Sequence, residues 1–148
     1  MWTTEYRTET DVDPQALWTS LRDLHSGIQL SENSDRFELH GPFEVGTAIS
    51  VTPQGQDTFR STIVELEQPH RYADRTEFGD LTLLFRHTLT PLADGGTAIT
   101  HRLEIDGPGA ETVAPELGPQ ISEDFPAAMA ELIAAARPAR REQSDALR

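Results

Sequence analysis

The chain has 148 residues, a length that fits one domain able to bury a core without a metal or disulfide staple. Twenty-five Asp and Glu stand against twelve basic residues, all of them Arg, for a formal net charge of -13. Such a surface repels phosphate backbones and anionic lipid heads, so neither nucleic acid nor a membrane is an expected partner. Cysteine is absent, which removes disulfides, thiolate nucleophiles and Cys-based metal sites together.

In chain order, residues 2–9 (Trp-Thr-Thr-Glu-Tyr-Arg-Thr-Glu) read as a strand, with Trp2 and Tyr6 on one face. Asp13-Pro14 opens a helix as cap and first helical residue; Ala16, Leu17, Leu21 and Leu24 follow at helical spacing up to Gly27. Short alternating segments come next. Arg36–His40 and Val45–Thr52 are split by Gly41-Pro42, Asp57–Glu67 follows Pro53-Gln54-Gly55, and Arg71–Phe78 follows Gln68-Pro69. Gly79-Asp80 is a two-residue hairpin turn into Leu81–Pro91, and Asp94-Gly95-Gly96 marks a second hairpin into Thr97–Ile105. Consecutive strands with tight turns predict an antiparallel sheet in an α+β fold, not βαβ units. Leu117, Ile121, Phe125, Met129, Leu132 and Ile133 then predict a long C-terminal helix to Ala136, which Pro126 kinks or restarts. Domain 1–136 is followed by a polar segment, 137–148, read as a frayed tail. No signal-like or membrane-length apolar run is visible, so a cytoplasmic location is expected.

This order resembles the START-like superfamily, also called the helix-grip or polyketide cyclase/dehydrase group. The landmarks are Gly41-Pro42-Phe43-Glu44-Val45-Gly46-Thr47, Val64-Glu65-Leu66-Glu67-Gln68-Pro69-His70-Arg71-Tyr72, Asp94-Gly95-Gly96-Thr97-Ala98-Ile99-Thr100 and the closing helix, over about residues 2–136. The resemblance implies a helix-grip fold, in which a curved seven-stranded antiparallel sheet wraps around the long C-terminal helix. It also implies a cavity between them for hydrophobic ligands or, in some members, catalysis. Many relatives carry tryptophans just after the first helix, where this chain reads Leu24-His25-Ser26-Gly27-Ile28-Gln29-Leu30, so no relative's ligand is transferred. An Ala- and Arg-rich, Lys-free composition suggests an actinobacterial source.

Strand parity selects the polar residues of the inner face. Leu81, Leu83, Phe85, His87 and Leu89 share one face; so do Ile99, His101, Leu103 and Ile105. If Gly79-Asp80 is a two-residue turn, Tyr72 opposes His87 and Asp74 opposes Phe85, diagonal to His87. A three-residue loop near Asp94 sets His101 opposite His87 or Leu89. The candidate catalytic group is therefore His87, His101, Asp74 and Tyr72. Histidine would be the acid or base, Asp74 would hold a ring nitrogen, and Tyr72 would donate to an enolate oxygen, as an aldol-type cyclisation or dehydration requires. Tyr6, Arg60, Thr76, Phe85, Leu103, Phe125 and Met129 are expected to line the ligand space. His25, His40 and His70 are read as loop, outward or turn positions. Two imidazoles and a carboxylate meet zinc's donor set, but no helical His spacing supports a metal, and no cofactor is expected.

The expected partner is a hydrophobic, aromatic or polyketide-like small molecule bound by a monomer or homodimer. The competing readings are a carrier or sensor of a lipid-like ligand that performs no chemistry, and a co-chaperone-like protein-interaction module, whose mark would be an exposed apolar patch.

Overall fold

The computed structural model describes residues 1–32, 34–53 and 55–137. Seven strands form one antiparallel sheet: β1 (Trp2–Thr10), β2 (Arg36–Leu39), β3 (Ala48–Thr52), β4 (Phe59–Glu67), β5 (Arg71–Phe78), β6 (Leu81–Pro91) and β7 (Thr97–Asp106), in spatial order β1-β7-β6-β5-β4-β3-β2. Helix α1 (Pro14–His25) follows β1, and α2 (Ala110–Ser122) and α3 (Phe125–Ala135) close the chain. This is the helix-grip arrangement that the family resemblance implies. No helix among the described residues is long and apolar enough to cross a membrane.

Local chemistry explains the elements. The Asp13 carboxylate accepts from the Ala16 amide at 3.2 Å, and Pro14 occupies the first helical turn, where its missing N–H costs nothing. Gly79, at a φ of +61°, makes the tight turn that pairs Phe78 with Leu81. The β6–β7 loop runs from Leu92 to Gly96, longer than the three residues expected, and sets His87 opposite His101. In β4 the register shifts between Ile63 and Glu65, a bulge that lets both Ile63 and Leu66 face inward.

The C-terminal helix is broken. Ser122 ends α2, and α3 restarts at Phe125-Pro126, as Pro126 predicts. Pro115 and Pro119 lie inside α2, so its backbone lacks two donors, and tertiary packing must hold it. That packing centres on Gly118, which lies against the Trp2 ring; a methyl group there would overlap the indole. Gly118→Ala is expected to lower stability by about 1–3 kcal/mol in urea unfolding, the usual cost of overpacking a tight contact. Arg137 donates to Asp11 at 2.6 Å and to Thr10. Residues 138–148, the rest of the expected tail, lie outside the described residues.

Outward positions carry a charge ladder across the convex face. Arg102 joins Glu5 at 3.2 Å and Glu104 at 2.8 Å, Arg86 joins Glu104 at 3.1 Å, and Arg86 also spans Ala73 to reach Glu65. Arg71 adds Glu65 and Glu67 at 3.9 and 3.8 Å. These pairs lower the Glu104 pKa, chiefly through the hydrogen bond from Arg102. Planar guanidinium forks bridge neighbouring strands in a way a point-charge ammonium does not.

The inner face holds two separate apolar clusters. Leu17, Trp18, Leu21, Ile49, Ile63, Tyr72, Leu89, Ile99, Met129 and Leu132 form the first, beneath α1 and α3. Leu83, Leu103, Ile105, Ala110, Ala114 and Phe125 belong to the second, beneath α2.

Candidate functional site

Between these clusters lies a belt of polar side chains: His25, Ser61, Asp74, Thr76 and His101, all buried, with His87 half-buried among them. Strand pairing builds it. Tyr72 pairs with His87, His87 with His101, and Asp74 with Phe85, so these five residues share one face of three adjacent strands. The His87 and His101 rings stack with centroids 3.9 Å apart, and Phe125 at the helix break covers the far side of His101 at 3.8 Å.

His25 joins them from α1. It was read as a loop or outward residue; instead it is the last residue of the helix and only 3% exposed. Leu17, Leu21 and His25 recur every four residues, which keeps them on one buried face. Its Nδ1–H donates to the Leu21 carbonyl at 2.8 Å, leaving Nε2 with the lone pair. The ring packs on Tyr72 at 4.2 Å, on Phe37 at 4.5 Å and on His87 at 5.8 Å. Phe43, from the β2–β3 loop, continues the column by stacking on Tyr72 at 5.8 Å and 2°.

Asp74 does not hold an imidazole, contrary to expectation. Its Oδ2 accepts the Tyr72 O–H at 2.8 Å, and that is its one hydrogen bond among the described residues. Tyr72 is therefore committed to Asp74, not free to donate to an enolate. His87 Nδ1 is buried with no partner among the described residues, and so is Trp18 Nε1.

Burial dominates the electrostatics. It pushes the Asp74 carboxyl up to about 7, only partly offset by the Tyr72 hydrogen bond. It lowers His25 to about 4 and His101 to about 3, and it holds His87 well below the usual histidine range, where the neighbouring His101 and His25 add to the effect. At neutral pH all three imidazoles are uncharged, and Asp74 titrates close to the ambient pH.

The other expected lining residues divide. Tyr6, opposite His101, packs against both clusters. Phe85 sits with its ring 6.4 Å from His101; Leu103 and Met129 are buried, one in each cluster. Thr76 is buried and hydrogen-bonded to Ser61, a pair that sequence reading did not single out. Arg60 is exposed, because Ser61 and Ile63 take the inward parity of β4 and turn it to the convex side. Two open clefts of about 430 and 410 Å³ lie elsewhere, around Gln29, Arg36 and Thr52, and share no lining residue with the belt. Among the described residues no group of three or more His, Asp or Glu is arranged to hold a metal ion.

Residues 1–137 match the family described as "Polyketide cyclase / dehydrase and lipid transport". No curated protein sequence matches the chain. Among solved structures, Ara h 8.0201 is similar with a TM-score of 0.71 at 16% identity, covering 91% of this chain and 97% of that one. Norcoclaurine synthase from Thalictrum flavum is similar at 0.66 and 17%, covering 93% and 86%. Protein MLL2253 from Mesorhizobium loti is similar at 0.67 and 15%, covering 90% and 96%.

Proposed function

Because this chain belongs to the polyketide cyclase / dehydrase and lipid transport family, we propose that it binds a hydrophobic, ring-bearing small molecule between the sheet and its C-terminal helices, and moves a proton on that ligand at the polar belt. The observation that carries this reading is the belt itself, with His87 Nδ1 unpartnered and Asp74 holding a single hydrogen bond inside an otherwise apolar interior. Buried polar atoms are normally satisfied, and those left open mark a place where something else supplies the partner.

Each residue then has a separable role. Asp74, with a pKa near 7, is matched to work as acid or base at neutral pH. Tyr72 holds its carboxyl in place. His87 accepts or donates at Nδ1 while uncharged, and His101 fixes the orientation of its ring by stacking. Phe43, Phe85 and Phe125 offer aromatic faces to a planar ligand.

The test begins with the purified protein, extracted and analysed by mass spectrometry for a co-purifying apolar compound. With that compound or its precursor as substrate, Asp74→Asn and His87→Ala are each expected to slow turnover by about a hundredfold, the usual worth of a positioned acid or base, while binding persists. Undiminished rates in both variants would leave a carrier that returns its ligand unchanged. Failure of the wild-type protein to retain any apolar ligand would remove the binding site altogether.

A further inference from the structure

Two neighbouring groups of the belt, Asp74 and His87, are incompletely paired among the described residues. Asp74 is 5% exposed, and its only hydrogen bond among the described residues is the one received from Tyr72. No Arg or protonated histidine forms an ion pair with it among the described residues. The twelve basic side chains are all Arg, and every ion pair they make among the described residues involves Glu or Asp11, never Asp74. Asp74 lies diagonal to His87, whose Nδ1 has no partner among the described residues. The Tyr72 O–H is already spent on Asp74.

A carboxylate and a neutral imidazole in diagonal positions on adjacent strands offer a guest one acceptor and, in the tautomer with the His87 proton on Nε2, a second. The Tyr72 ring, whose hydroxyl bonds Asp74 and whose centroid lies 6.3 Å from that of His87, adds an aromatic group that favours a cation. A neutral hydroxyl brings one donor and leaves the carboxylate charge uncompensated, whereas an ammonium brings up to three donors and a compensating charge. On these grounds we infer that the ligand of the belt carries a protonated primary or secondary amine on a ring-bearing apolar body, with the nitrogen placed between Asp74 and His87. This rests on the binding reading above and adds the charge of the guest to it. The net charge of -13 also concentrates cationic ligands near the protein and disfavours anionic ones.

The experiment uses two isosteric fluorescent probes, 1-naphthylmethylamine and 1-naphthalenemethanol, titrated at pH 8 into the wild-type protein and Asp74→Asn. The amine is expected to bind wild type about tenfold more tightly than the alcohol, the scale of a charge-assisted hydrogen bond over a neutral one. In Asp74→Asn that preference should disappear, with an unchanged near-ultraviolet circular dichroism spectrum and a cooperative urea transition reporting an intact fold. Equal affinities in wild type, or the same preference in Asp74→Asn, overturn the inference and leave the binding site standing. If wild type binds neither probe, the binding reading falls and the inference with it.

Discussion

Acidification from pH 6.5 to about 5 is expected to cost the folded protein about 1–3 kcal/mol of stability for each pH unit, through His25, His101 and His87 opposed by Asp74. Each histidine has a folded-state pKa below its unfolded value of 6.5. In this window the unfolded chain takes up protons that the folded chain refuses, so the penalty is absent above pH 6.5 and grows as the pH falls. Asp74 acts in the opposite sense. Its folded value of about 7 lies above its unfolded value of 3.8, so the folded state keeps a proton that the unfolded state has released. His25 and His101 against Asp74 leave a net uptake of about one proton on unfolding, which His87 adds to, at about 1.4 kcal/mol per proton and pH unit. Urea midpoints measured from pH 7 down to pH 4.5 should fall accordingly. His25→Phe, which keeps a ring against Phe37 and Tyr72, should remove one proton from the slope. A flat profile, or an unchanged slope in that variant, would mean that the imidazoles are hydrated and ordinary.

How much of this was legible in the sequence depended on which constraint acted locally. The Gly79-Asp80 turn fixes the parity of both flanking strands, so the pairing of Tyr72 with His87 and of Asp74 with Phe85 could be read before any coordinates. His101 could be placed within one step of His87 and not closer, because the length of the Leu92–Gly96 loop is not encoded as sharply as that of a two-residue turn. Arg60 was misplaced although Phe59, Ser61 and Ile63 already claimed the inward face; the bulge after Ile63 blurred a parity that was clean before it. His25 was missed because glycine at 27 drew attention to the helix end, while the four-residue spacing from Leu17 through Leu21 carried the true signal. The partner of Asp74 could not be read at all. Tyr72 lies two residues away on the same strand, and nothing in the alternation says that its hydroxyl, rather than an imidazole across the sheet, reaches the carboxylate.

Asp74→Asn is expected to gain stability relative to wild type as the pH rises, with the difference moving in the variant's favour by about 4 kcal/mol between pH 4 and pH 8. At pH 4 the folded carboxyl is protonated and the unfolded one only about half ionised, so the difference is small; at the alkaline end the folded state must hold it ionised, against a burial cost that the hydrogen bond from Tyr72 does not offset. Asparagine keeps an oxygen to accept that hydroxyl and carries no charge, so its own cost, an extra buried N–H₂ group, is the same at both ends. Urea unfolding of the two proteins at pH 4, 6 and 8 measures the difference directly, and a gap that does not change with pH would show Asp74 to be solvated. The two effects of this one substitution separate structure from function. A residue kept only to satisfy Tyr72 would be replaced by asparagine at no loss, since the amide oxygen serves as well. A residue kept to receive a cationic guest must remain ionisable, and must lower the stability of the empty protein at the pH where it binds. A variant that is more stable at pH 8 yet no longer distinguishes amine from alcohol is the combination that only the second role produces.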